Sequence, residues 1–209
     1  MKRCIIVQGP AYSNSISQIR EGWKGYDVIY STWEGYEGLH TEDEIVIYSS
    51  LPHNNGVKNL NYQKVSTIAG LELAKQMGYD RALKWRSDMW TNNADGLMST
   101  FEDAYNTLCW VDSDGGYLTD FFMEDTIDNL LNVWNIEPSG SFPEAVLTNR
   151  IKELGWMNRV NLIADKLTPE LDIFWNTRYG AYWMNVVNTT EETIYKNNKT
   201  WKKNLTSTT

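Results

Sequence analysis

The sequence predicts an α/β protein, a single domain built on a mostly parallel central sheet flanked by helices. Three observations predict it. Short apolar runs rich in β-branched residues alternate with segments of helical spacing through the first part of the chain, the pattern of strand, crossover helix and parallel strand. The 209 residues, 42% hydrophobic and 22% charged, suffice for one substantial core and are too few for two generous ones. Polar residues gather directly after the apolar runs, at Gln8-Gly9-Pro10, Ser31-Thr32 and Arg86-Ser87-Asp88, where open α/β sheets hold their ligands.

Cys4 to Gln8 is a buried-type strand broken by Gly9-Pro10, and Ser13 to Trp23 has helical spacing with Ile16, Ile19 and Trp23 on one face. Asp27 to Thr32 and Glu44 to Ser50 are two further strands, joined by a Gly- and acid-rich loop from Trp33 to Asp43. Tyr62 to Met77 reads as an amphipathic helix with Val65, Ile68, Ala69, Leu71, Leu73 and Ala74 along one side, and Arg81 to Trp85 as strand four. The second half predicts a helix from Asp95 to Tyr105, a strand from Leu108 to Val111, a turn over Asp112 to Gly116 and a strand from Tyr117 to Phe122. Helices then follow over Glu124 to Trp134 and Pro143 to Leu154, with an aromatic strand or hairpin over Asp172 to Tyr182. Residues 1–184 form the expected domain, divided into a first half (1–88) and a second half (89–184), and the polar residues 185–209 are a tail or a linker to further chain.

A net charge of -8 argues against broad binding to a phosphate backbone, so nucleic acid is not an expected partner and any phosphate recognition is local. Two cysteines, Cys4 and Cys109, have neither metal-ligand spacing nor a disulfide framework, and a reducing cytoplasmic setting fits them. The apolar run after Met1-Lys2-Arg3 ends at Val7, too short for a signal peptide or a membrane span. Neither a GxGxxG nor a Walker sequence occurs, which disfavours NAD, FAD and P-loop chemistry. His40 and His53 lie in loops with no nucleophile elbow nearby, so a hydrolase dyad is poorly supported. Ten tryptophans and twelve tyrosines exceed what a core of this size needs, and stacking on sugars or bases is one use for the excess.

Taken in order, Ile6-Val7-Gln8-Gly9-Pro10, Ser31-Thr32-Trp33-Glu34, Asn61 with Gln63, Ser66-Thr67, Gly70-Leu71 and Ala74, Lys84-x-Arg86-Ser87-Asp88 and Tyr117-x-Thr119-Asp120-Phe121-Phe122 form a series. That series resembles the WavE-type lipopolysaccharide-synthesis glycosyltransferases over about residues 3 to 134. The chain is also similar in size and plan to the first domain of a chlorella-virus glycosyltransferase that acts on capsid glycans. The resemblance implies a GT-A, Rossmann-like fold, a nucleoside-diphosphate sugar donor, expected to be UDP-linked, and a glycan acceptor. It also implies Mn²⁺ or Mg²⁺, held by a short acidic motif after the fourth strand, commonly Asp-x-Asp. Here Arg86-Ser87-Asp88 stands in that place, so one carboxylate is missing and Asp88 is the expected metal ligand.

The chemistry supports such a corner independently. Breaking a sugar–phosphate bond leaves a diphosphate of growing negative charge, which a hard cation with oxygen ligands, or nearby lysine and arginine donors, stabilises. Asp88 offers the oxygen, and Lys84 and Arg86 the positive charge. If the strand persists that far, all three share one face, while Trp85 and Ser87 take the other. The plain alternative is an ion-pair cluster in which Asp88 caps the next segment. A literal Asp-x-Asp occurs at Asp112-Ser113-Asp114, but with Gly115-Gly116 after it the composition is that of a tight turn. Gln8, Gly9, Pro10, Ser31 and Thr32 are the expected contacts to base and ribose, with Trp33 as a stacking platform, and Asn61 and Ser87 join them through the resemblance. An inverting transferase also needs a carboxylate to take the proton of the attacking hydroxyl. Asp120, flanked by Tyr117-Leu118 and Phe121-Phe122, is the first candidate and Asp125 the second, although Asp125 also fits a helix N-terminal charge. Two other readings stay open: a non-catalytic domain that binds nucleotide-sugar or carbohydrate, and a nucleotidyltransferase, for which Gln8 to Ser13 lacks the Gly- and Arg-rich phosphate loop.

Overall fold

A computed structural model describes residues 1–163, apart from 12, 37–39, 113–114 and 138–139, together with 173–177 and 180–184. Strand β1 (Arg3–Gln8) pairs in parallel with β2 (Val28–Trp33) on one side and β4 (Arg81–Arg86) on the other, and β2 pairs in parallel with β3 (Ile45–Ser49). Beyond β4 lie β7 (Gly115–Thr126), β6 (Tyr105–Asp112) and β8 (Val160–Leu162), giving the order β3-β2-β1-β4-β7-β6-β8. β7 is antiparallel to both β4 and β6, and β8 is parallel to β6, so β7 alone runs against the other six strands. The predicted mostly parallel sheet is what forms. A small second sheet joins β5 (Met89–Thr91) to a hairpin of β9 (Ile173–Thr177) and β10 (Gly180–Met184), the predicted aromatic hairpin.

Strand alternation sorts the core into two layers. Ile5, Val7, Leu83, Trp85 and Phe122 point to the face covered by α1 (Ser13–Gly22), where Ile19 and Trp23 close over them. Cys4, Ile6, Ile29, Ala82 and Met123 point to the other face, under α2 (Leu60–Gln76), α4 (Ile127–Trp134) and α5 (Pro143–Glu153). A sheet buried on both faces explains why its strands read as continuous apolar runs. The remaining helix, α3 (Ala94–Ser99), is a short turn capped by the Asn93 side chain on the Gly96 amide. Among the described residues, no helix is long and apolar enough to cross a membrane.

Helix α2 differs from its apolar reading in an instructive way. The face set against the sheet carries Leu60, Ser66, Thr67, Gly70, Leu71 and Ala74, while Val65, Ile68, Ala69 and Leu73 are only partly buried. Small residues let the helix lie close on β1 and β2: a Cβ on Gly70 would come within 2.6 Å of the Ile6 Cγ2 and 3.1 Å of the Ser31 Cβ. Gly70→Ala is therefore expected to cost about 1–3 kcal/mol through overpacking, read as a lower denaturation midpoint with unchanged slope. An unchanged midpoint would show that the helix can lift off the sheet freely.

Two helix boundaries also move. The helix expected over Asp95 to Tyr105 stops at Ser99, because Tyr105 enters β6 and pairs with Val160. The helix expected from Glu124 starts at Ile127, because β7 continues through Glu124 and Asp125 to Thr126, whose hydroxyl caps the Asn129 amide at 3.3 Å. The acidic pair belongs to a strand.

Candidate active site at the switch point of the sheet

From β1 the chain steps outward to β2 and β3, then returns through α2 to β4 on the opposite side of β1. The order of the strands thus reverses between β1 and β4, and the crevice at their C-terminal ends is where doubly wound sheets bind ligands. Gln8-Gly9 and Arg86-Ser87-Asp88 meet there, joined by the Ser87 amide donating to the Gln8 carbonyl at 2.9 Å. Gly9 has φ +123°, a conformation that favours glycine, and a Cβ on it would stand 2.7 Å from the Ser87 Oγ, which would have to turn away.

Arg86 and Asp88 form a fork-to-fork pair, Nε to Oδ1 at 2.9 Å and Nη2 to Oδ2 at 2.6 Å. The strand ends at Arg86, so Asp88 sits in the following turn rather than on a continued strand face. Lys84 shares the Arg86 side but lies beneath the crevice, with no exposed surface; its ammonium donates to the Asp120 backbone carbonyl and stands 5.4 Å from the Trp134 ring centroid. Burial pushes that ammonium down to about 8, against the opposing pull of Asp120.

Asp120 owes its place to a bulge. Thr107 pairs with Met123 and Cys109 with Leu118, so two steps along β6 span five along β7. The surplus residues leave the ladder, and bulges of this kind re-aim side chains beside functional sites. The Thr107 and Thr119 hydroxyls pin the bulge by donating to the Phe122 carbonyl at 2.8 and 3.3 Å. Asp120 is 3% exposed, and its Oδ1 has no hydrogen-bond partner among the described residues. A buried carboxylate oxygen left unpaired is costly.

Register separates the two candidate bases. Pairing of β4 with β7 runs from Arg81 opposite Thr126 to Trp85 opposite Phe122. Asp120 therefore lies at the Asp88 end of β4 and Asp125 at the other. There Asp125 accepts from the Thr126 amide at 2.7 Å and lies 3.1 Å from Arg159, fully buried.

Other predicted contacts are engaged within the fold. The Gln8 amide donates to the Ser66 hydroxyl at 2.9 Å, and Ser31 donates to the Ser66 carbonyl at 2.5 Å, tying β1 and β2 to α2. Trp33 is buried against Tyr62, ring centroids 5.6 Å apart, rather than presented as an open platform. Asn61 donates to the Asn54 carbonyl at 3.1 Å, bracing the loop ahead of α2. Pro10 is partly exposed at the crevice rim. Thr32 differs: its hydroxyl is buried without a partner among the described residues and lines a narrow cleft with Gly9, Tyr30, His40 and Ser87. Arg20, on α1, grips Glu44 at 2.7 Å. The Asp112 to Gly116 turn falls outside the described residues, apart from the backbone of Asp112, Gly115 and Gly116, and so does the polar tail.

The sequence reading missed Glu144 and Lys58. Glu144, in the first turn of α5, is half-buried, and burial together with Asp120 raises its pKa while Lys58 and Arg86 draw it back. Lys58 and Asn59 both hold left-handed φ, 46° and 64°, at the entry to α2. Strain of this kind collects at ligand sites. Among the described residues, no three His, Cys, Asp or Glu side chains group closely enough to hold a metal ion. Asp88 is the carboxylate at this corner, and both of its oxygens accept from Arg86.

No family model matches the chain, and no curated protein matches it by sequence. By fold it is similar to a protein of Desulfovibrio desulfuricans G20 assigned by inference as a nucleotide-diphospho-sugar transferase, with a TM-score of 0.51, 12% identity, and coverage of 78% of this chain and 80% of that one. At that identity the likeness concerns the fold: a Rossmann-like, mostly parallel sheet flanked by helices.

Proposed function

We propose that the chain is a glycosyltransferase that moves a hexose from a nucleoside-diphosphate sugar, UDP-linked, to a hydroxyl of a growing glycan, of the WavE type that its sequence resembles. The observation that carries this reading is that the Arg86–Asp88 pair and the bulge-borne Asp120 stand at the same end of β4, near enough for the Asp120 charge to act on Arg86. It supports the reading because a cation suited to a leaving diphosphate and a carboxylate suited to an incoming hydroxyl then stand at one end of the sheet. The nucleotide lies along the ends of β1 and β2, where Gly9 lets the backbone approach closely and Thr32 has a hydroxyl to offer.

Arg86 faces the diphosphate as the bond from the anomeric carbon to the phosphate oxygen breaks, and charge developing on that oxygen is stabilised by donors already in place. Asp120 takes the proton of the acceptor hydroxyl as the new glycosidic bond forms. Lys84 acts on Asp120 from below, through its carbonyl, and does not touch the donor. Mn²⁺ or Mg²⁺, when bound, would be held by Asp88 and would draw negative charge from the diphosphate.

UDP with Mn²⁺ is expected to raise the melting temperature more than GDP or CMP with Mn²⁺, because a ligand that binds only the folded chain stabilises it in proportion to its affinity. Asp88→Ala is expected to abolish the metal-dependent part of that rise. Equal shifts for the three nucleotides would remove the uridine assignment, and an intact metal-dependent shift in Asp88→Ala would remove Asp88 as the ligand. A UDP shift without UDP release from any UDP-sugar and glycan acceptor would favour the non-catalytic binding domain.

A further inference from the structure

We infer that Glu144 is a second carboxyl group of the acceptor side, paired with Asp120 across the seam between α5 and β7, and that the two share the proton taken from the acceptor. This rests on the proposed transferase reading for its role and on geometry for its existence. The Leu118 amide donates to the Thr148 hydroxyl at 2.8 Å, and that hydroxyl donates in turn to the Glu144 carbonyl at 2.7 Å, so the first turns of α5 are strapped to β7 just ahead of the bulge. Glu144 and Thr148 stand four residues apart on one face of the helix. That face therefore brings Glu144 to the stretch that carries Asp120, and the Asp120 charge, which helps to raise the Glu144 carboxyl, agrees.

The two groups differ in access to water. Asp120 is 3% exposed, whereas Glu144 is only half-buried. A proton accepted by Asp120 has no direct exit once an acceptor sugar covers the crevice, and Glu144 supplies one. The atoms balance simply: the hydroxyl proton passes to the Asp120 carboxylate, the acceptor oxygen bonds the anomeric carbon, the electron pair of the broken bond leaves on the diphosphate, and the proton moves through Glu144 to solvent. The charged groups that bear on the pair are Lys84 and Arg86 from β4 and Lys58 from the entry to α2, and Asp88 from the following turn bears on the two β4 cations.

The test has one readout that needs no substrate. Carboxyl ¹³C NMR of the whole chain is expected to show the Glu144 midpoint falling in Asp120→Asn, because one of the two causes that raise it is removed. An unmoved midpoint overturns the pairing. For the reaction, Glu144→Gln is expected to lower kcat about 10²-fold, the low end for a positioned proton-transfer group. It should leave the UDP thermal shift in place and move the acid limb of the rate profile to lower pH. Formate should restore part of the rate in Glu144→Ala. Parent kcat and an unchanged pH profile in Glu144→Gln overturn the shared proton. A displaced NMR midpoint in a protein that transfers from no nucleotide-sugar leaves the pairing standing, and it is then the transferase reading that falls.

Discussion

Replacing Asp120 with asparagine is expected to lower glycosyl transfer by a factor of about 10²–10⁴, the range that positioned acid–base groups contribute, while the UDP thermal shift persists. Asparagine preserves the shape of the side chain and the backbone carbonyl that Lys84 holds, so the bulge of β7 should survive. What it loses is the ability to take a proton. The unpaired Oδ1 makes the comparison clean, because among the described residues no hydrogen bond to that atom is broken by the change. Transfer is read as released UDP at saturating donor and acceptor, and the melting temperature reports whether the variant is folded. A variant that transfers at the parent rate would move the base elsewhere in the crevice. Asp125, at the far end of β4 and engaged by Arg159, is no replacement.

The parts of this site that were legible in the sequence are those set by short-range pattern. The apolar runs that became β1, β2 and β4 are buried strands and that of β3 is a half-buried edge strand, none with a competing local signal, and the residues that follow them had to emerge at one end of a parallel sheet. Strand alternation also put Lys84 and Arg86 on a common side. It carried no information about Trp134, 50 positions later, whose ring stands 5.4 Å from the buried Lys84 ammonium, or about the Asp120 carbonyl to which that ammonium donates. The bulge was invisible for a related reason: Tyr117 to Phe122 reads as an ordinary strand, and only pairing with β6 shows that its residues outnumber their partners. Glu144 was hidden by a stronger cue, since an acid one position after a proline at a helix start is what the helix dipole favours on its own. Likewise Glu124 and Asp125 looked like first-turn acids, and a cation 43 positions earlier drew them into the strand instead.

That cation, Arg81, carries the largest expected effect on stability. It is 1% exposed at the start of β4, and its guanidinium donates to Glu124 at 2.7 and 3.0 Å, to Asp103 at 2.8 Å and to the Ala104 carbonyl at 3.1 Å. Glu124 has no exposed surface and also meets Arg3 at 3.0 Å and the Asn106 amide at 2.6 Å. Arg81→Met is expected to cost about 3–5 kcal/mol, because removing one member of a buried pair strands the other charge. Arg81→Met combined with Glu124→Leu should recover most of the loss, since apolar replacement of both partners removes the stranded carboxylate. Denaturant titration measures both, and a loss below about 1 kcal/mol in the single variant would reduce the cluster to the worth of a surface ion pair. Because Arg81 lies at the opposite end of β4 from Asp88, the increment in stability given by UDP should be unchanged in the folded variant. Distant, unshared contacts act additively, so a lost increment would mean that the far end of the sheet sets the geometry of the switch point.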